Sequence, residues 1–230
     1  MNDHVRIPVV LEQLRLAWEG QPELSLATLF GILSNQGIGW GTDDETLMEA
    51  LAHMRTLHPA EISGPIFQID ARYVVETADN HVTVDPYRVV VRPQSTDGDI
   101  RQPGIWGYSK VQCRVGTDLV VSDQEGSEHH LGLVKRITLA DSGPRPEIED
   151  LSGFRREGMA EQVFALLFDD DTLVLLDHRM TQFHKNRRAV DYHRMLWDRV
   201  IQARPGESLQ VSTPSGIHEL GIISKIIPVN

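Results

Sequence analysis

The sequence predicts an α+β fold with a small N-terminal helical domain, a central antiparallel, barrel-like β-rich domain, and a C-terminal hairpin-helix-hairpin α/β unit. Three observations carry that prediction. Apolar residues recur at helical spacing as far as residue 63, the hydrophobic period changes to two from Gly64, and proline, glycine and acidic residues gather between 141 and 150. The expected divisions are therefore 1–63, 64–140, a linker at 141–150, and 151–230.

In the first segment, Pro8 suits a first-turn position, and Val10, Leu11, Leu14 and Trp18 follow at helical spacing until Gly20 and Pro22 stop the helix. Ser25 is placed to cap a second helix carrying Leu26, Leu29, Phe30 and Leu33. The turn Gly37-Ile38-Gly39-Trp40-Gly41 leads to Thr42 and Glu45, spaced as a capping box for a third helix with Leu47, Leu51, Met54 and Leu57 on one face.

From Phe67 to Glu76 apolar and polar residues alternate as in a half-buried strand. Further strands are expected at 81–84, 87–92, 105–115, 119–122 and 130–139, separated by turn residues such as Asp79-Asn80 and Glu125-Gly126. After the linker, two strands at 162–168 and 172–178 flank Asp169-Asp170-Asp171. A helix is expected from Asn186 to Ala203, and two closing strands at 208–213 and 218–228 flank Pro214-Ser215-Gly216.

Charge narrows the function classes. The 230 residues include 33 acidic and 22 basic side chains, a net charge of -11. By segment the balance is -6 over 1–63, -2 over 64–140, -7 over 141–177 and +4 over 178–230. An acidic chain repels phosphate backbones, so direct nucleic-acid binding is not expected. A helix-turn-helix reading of the first segment meets the same objection, because its third helix presents Asp43, Asp44, Glu45 and Glu49 while the segment holds only Arg6, Arg15 and Arg55. The longest apolar run, Val163 to Phe168, is far too short to span a membrane, and Met1-Asn2-Asp3-His4 does not read as a secretory leader. The expected location is the cytoplasm. The lone Cys113 has no partner for an internal disulfide.

The glycines around Trp40 carry neither a dinucleotide fingerprint nor a Walker lysine, and the acids that follow already occupy the helix start. They read as a turn that presents Trp40. Asp177, His178, His184 and His193 combine the carboxylate and imidazole groups of a hydrolytic metal centre, without a diagnostic ligand spacing. No cofactor is expected. In the basic last segment, Arg187, Asp191, Arg194 and Asp198 succeed one another as a charge ladder on a helix face, while Ala189, His193, Leu196, Trp197 and Val200 form the stripe opposite.

Two stretches resemble known families. Val84-Asp85-Pro86-Tyr87-Arg88-Val89-Val90, followed by Trp106, Leu119-Val120-Val121 and Val134-Lys135-Arg136-Ile137, resembles WYL domains, the small barrel-like ligand sensors of bacterial regulators, although the Trp-Tyr-Leu triplet is absent. Ala203-Arg204-Pro205-Gly206-Glu207 through Val211 to Gly216 and on to Ile222-Ile223 is similar to the end of Gre-type transcription factors, which implies an RNA-polymerase or protein-binding module.

The reading that follows is a non-enzymatic protein-interaction or ligand-sensing module. Its expected binding residues are Arg187, Arg188, Arg194, Trp40 and Trp106, and its expected partner is a protein or a small ligand. The alternatives are a metal-dependent hydrolase using Asp177, His178, His184 and His193, and a transcription-associated protein with a Gre-like or WYL-like module.

Overall fold

A computed structural model describes residues 3–94, 100–141, 147–160, 162–185 and 190–229. Among the described residues there are three α-helices and two antiparallel sheets, so the α+β class holds. By internal packing the chain falls into two compact units, 1–89 with 105–143, and 90–104 with 144–230.

The first unit opens with helices α1 (Asp3–Glu19), α2 (Leu26–Asn35) and α3 (Asp44–Leu57). Pro8 lies inside α1 instead of in its first turn. The surrounding turns are exposed, so the carbonyl that proline leaves without an N–H donor meets water. Ser25 caps α2 as expected, its Oγ accepting from the Thr28 N–H at 3.1 Å. At α3 the cap is Asp43, whose Oδ1 accepts from Thr46 N–H at 2.9 Å. Thr42 sits one residue too early and instead accepts from Gly39 N–H at 2.9 Å. The helices bury Ala17, Leu29, Leu33, Leu51 and Met54 together. Gly20 allows the chain leaving α1 to pass against the end of α3, since a Cβ there would fall 2.1 Å from the His58 carbonyl oxygen.

Strands β1 (Gly64–Pro65), β2 (Arg72–Thr77), β3 (Asn80–Val84), β4 (Val89–Pro93), β5 (Gly104–Trp106), β6 (Tyr108–Gln112), β7 (Asp118–Asp123) and β8 (Glu128–Asp141) follow. Within the first unit the order is β1-β6-β7-β8-β2-β3. The barrel-like expectation is corrected: among the described residues this sheet does not close. Short strands with frequent turns suit an open sheet as well as a barrel, and period-two patterning cannot say whether the last strand meets the first. The expected strand start at Phe67 is a 3-10 turn, Ile66–Gln68, and the expected strand 105–115 breaks between β5 and β6 at Gly107. Val75, Val82, Tyr108, Val111, Leu119, Val121 and Ile137 are buried.

The second unit contains β9 (Phe164–Phe168), β10 (Leu173–Leu176), β11 (Met180–Lys185), β12 (Val190–Met195), β13 (Arg199–Gln202), β14 (Ser208–Thr213) and β15 (Gly216–Pro228). Their order is β12-β11-β10-β9-β15-β14-β13. Both expected hairpins form, β9 with β10 and β14 with β15. The hairpin-helix-hairpin expectation is corrected at its centre. Residues 190–195 and 199–202 of the expected helix 186–203 are strands, and 186–189 lie outside the described residues. The segment is rich in β-branched and aromatic residues, Val190, Tyr192, Trp197, Val200 and Ile201, and β11 offers a hydrogen-bonding edge that no isolated-helix argument includes. The charge ladder accordingly dissolves. Asp191 lies opposite His184, Arg194 lies opposite Thr181, and Asp198 is 3.9 Å from Arg156.

Trp197 retains the burial expected of it, now at the centre of a core with Phe164, Leu166, Leu176, Met180 and Val211. Of the expected linker, 142–146 lie outside the described residues. Asp141 closes β8 opposite Arg72, and 147–150 are tied into the second unit, Ile148 N–H donating to the Ile226 carbonyl at 2.9 Å and Arg204 binding Asp150 at 2.8 Å. Among the described residues no helix is long and apolar enough to cross a membrane.

Candidate functional site

A cleft of about 590 Å³ in the first unit is built from four parts of the chain. Helix α1 supplies Arg15 and Glu19, one turn apart on the same face. The last turn of α3 supplies Arg55. The connection after α3 supplies Glu61, and the segment following β6 supplies Arg114.

Backbone pairing fixes this assembly. Glu61 and Arg114 form an isolated antiparallel bridge. On either side, Ile62 N–H donates to Cys113 O at 3.0 Å and Val115 N–H donates to Ala60 O at 2.9 Å. Cys113 N–H also donates to Ser63 Oγ at 2.9 Å. These bonds hold 60–63 alongside 111–115 and so carry Arg114, distant in sequence, to the helices. Cys113 is fully buried here, and burial pushes its thiol well above the usual range, consistent with a packing role and not a reactive one.

Three guanidinium groups thus line one cleft of an acidic protein. Arg15 binds Glu12 through Nη2 at 2.6 Å and Nε at 2.9 Å, and also binds Glu19. The Arg15 side chain holds the Glu12 carboxyl below its ordinary range, while Glu12 and Glu19 raise the pKa of Arg15. Arg55 donates to the Gln13 amide oxygen, and Arg114 stands 3.9 Å from Glu19. A guanidinium has five N–H donors, so these contacts leave each arginine with donors for a carboxylate or phosphate.

Sequence reasoning identified Arg15 and Arg55 only as two of the few bases in the helical segment. It missed Arg114 because nothing in its local pattern announces the pairing with Glu61. The one available signal was the period-two segment ending at Val115, a length that allowed pairing with the chain before Gly64.

Of the expected binding residues, Trp40 projects completely into solvent at 107% relative exposure, in a turn where Gly37 and Gly41 take positive φ. Trp106, at the end of β5, packs against His129 with ring centroids 5.2 Å apart, and its Nε1 has no hydrogen-bond partner among the described residues. Arg194 is exposed on β12. Arg187 and Arg188 lie outside the described residues.

The residues of the hydrolase alternative are spread along one ribbon. Asp177 and His178 form the turn from β10 into β11, where Asp177 Oδ1 accepts from Arg179 N–H at 2.6 Å. His184 is at the far end of β11, its Nδ1 3.5 Å from Thr172 Oγ1. His193 sits on β12 opposite Gln182. Among the described residues no three His, Cys, Asp or Glu side chains are grouped so as to hold a metal ion. His193 instead lines a smaller cleft of about 300 Å³ with Met195, Ser215 and His218. There Ser215 Oγ lies 3.2 Å from His218 Nε2, and among the described residues no carboxylate is bonded to that imidazole to orient it as a base.

No family model matches the chain, and neither a curated protein nor a solved structure matches it.

Proposed function

We propose that this protein is a non-enzymatic ligand-sensing module whose helical cleft takes a small anionic ligand, a carboxylate or phosphate compound, between Arg15, Arg55 and Arg114. The observation that carries this reading is the gathering of three arginines from separate parts of the chain in one cleft, in a protein of net charge -11. Planar guanidinium forks match the oxygens of carboxylate and phosphate, and such charge-assisted bonds are the strong ones. Glu19 holds Arg15 and stands 3.9 Å from Arg114, so an incoming anion competes with it for those donors.

The interaction reading also has support, since a tryptophan left wholly in solvent between two glycines presents a large apolar surface to a protein partner. The hydrolase and transcription-associated alternatives have no comparable observation behind them.

Thermal unfolding of the whole chain with inorganic phosphate, succinate and citrate tests the ligand reading. A ligand at about 100 times its Kd adds ~2.7 kcal/mol of stability and raises Tm by several degrees. Wild type is expected to respond to at least one of these anions and Arg55→Ala to respond weakly. Failure of all three to shift the wild type, or an equal shift in the variant, would refute the proposal.

A further inference from the structure

Carboxylates line the arginine cleft as well, and the charges do not pair off evenly. Glu19 and Glu61 share the walls with Arg15, Arg55 and Arg114. Arg15 is held between Glu12 and Glu19, and Glu19 also stands 3.9 Å from Arg114. Arg55 donates to a neutral acceptor, the Gln13 amide oxygen, and has no bonded carboxylate among the described residues. Glu61 is exposed, and among the described residues its side chain makes neither an ion pair nor a hydrogen bond.

Glu61 and Arg114 stand directly opposite one another in their antiparallel bridge. Residues so opposed send their side chains to the same face, with Cβ atoms about 5 Å apart. The two are neighbours without being partners, because the ion pair of Arg114 goes to Glu19. A carboxylate acceptor and a guanidinium donor therefore lie side by side in the cleft, with the guanidinium of Arg55 lining it from α3.

We infer that the ligand of this cleft is an amino dicarboxylate, a small aliphatic compound with one ammonium and two carboxylate groups, such as aspartate or glutamate. The inference rests on the anion-binding reading above and names its ligand class. One carbon separates the α-ammonium from the α-carboxylate, so the two groups meet Glu61 and Arg114 together, and the distal carboxylate meets Arg55. Charge agrees. Three guanidiniums and two carboxylates line the cleft, leaving one positive charge, and an amino dicarboxylate carries one negative charge at neutral pH. A dicarboxylate without the ammonium brings only negative charge to Glu61. None of the lining residues is aromatic, so the walls offer no stacking surface for a nucleobase, while Leu16, Ala52 and Pro59 suit an aliphatic chain.

Isothermal titration of the full chain with aspartate, malate and succinate tests the inference, since these differ only in carrying ammonium, hydroxyl or hydrogen at one carbon. Glutamate, 2-hydroxyglutarate and glutarate form the same series one carbon longer. In at least one series, wild type is expected to bind the amino compound at least about tenfold more tightly than the other two, the worth of one charge-assisted contact. Glu61→Gln should bring the amino compound to within about threefold of its unsubstituted analogue without weakening that analogue. The bridge to Arg114 is made by backbone, so this variant keeps the frame of the cleft and should show an unchanged far-UV circular dichroism spectrum. Equal binding of all members of both series by wild type overturns the inference and leaves the anion reading intact. A preference that survives in Glu61→Gln overturns it equally, because the ammonium would then lie elsewhere. Absence of saturable binding by every member also overturns it, and the anion reading then stands or falls separately on phosphate and citrate.

Discussion

Replacing Trp197 and Trp40 in turn by phenylalanine makes the same chemical change at the two extremes of burial. Trp197 is 0% exposed, and its Nε1–H donates to the Asp177 carbonyl at 2.8 Å. Phenylalanine removes roughly 50 Å² of buried apolar surface, worth about 1.3 kcal/mol at ~25 cal/mol per Å². The lost hydrogen bond adds about 1 kcal/mol, and more where the carbonyl is left unsatisfied. Trp197→Phe should therefore cost about 2 kcal/mol or slightly more and, with a urea slope of ~1–3 kcal/mol/M, lower the denaturation midpoint by about 1 M. Trp40 has no packing to lose, so Trp40→Phe should stay within about 0.5 kcal/mol of wild type. Urea titration followed by far-UV circular dichroism reads both variants without depending on either fluorophore. Equal midpoints for the two variants would refute the assignment of Trp197 to the core of the second unit.

Gly20→Ala is expected to destabilise the helical segment by at least ~2 kcal/mol, since its Cβ would fall 2.1 Å from the His58 carbonyl oxygen and both partners are backbone; urea titration checks it, and a neutral effect would show that the approach is looser. Asp150 gives a pH prediction. Hydrogen bonds from the Arg204 and Ser152 side chains and the Ser152 N–H hold its carboxyl well below the usual range, so the folded state binds fewer protons than the unfolded state. Its contribution is fully present above the unfolded pKa of ~4 and is lost as pH falls through the lower folded value. Asp150→Asn should accordingly flatten the acid limb of a stability–pH profile while leaving its shape near neutrality unchanged.

Local signals made much of the fold legible. Ser25 as a cap, the hairpin around Asp169-Asp170-Asp171 and the closing β14–β15 hairpin all depend on residues within a few positions of one another, and all three form. The failures have a common cause in long-range pairing. Residues 190–202 carried charges at helical spacing, yet the open edge of β11 turned the first half into a strand. Closure of the first sheet depended on whether its end strands meet, which no stretch of sequence encodes by itself. The cleft was the least legible feature. Arg15 and Arg55 were visible as sparse bases, but Arg114 joins them only through the bridge to Glu61, across 53 positions. His184 and His193, by contrast, were near neighbours in sequence and still occupy different positions on a ribbon, because strand pairing places His184 opposite Asp191 and His193 opposite Gln182.

The central claim is that a small anion binds among Arg15, Arg55 and Arg114. Isothermal titration of citrate into the full chain at low salt measures it directly, with Arg114→Ala as the comparison, because that side chain reaches the cleft from outside the helices. The account predicts saturable binding at one site per chain, weakened about tenfold or more in Arg114→Ala by loss of a charge-assisted contact. Absence of saturable heat in the wild type, or the same affinity in the variant, would contradict it.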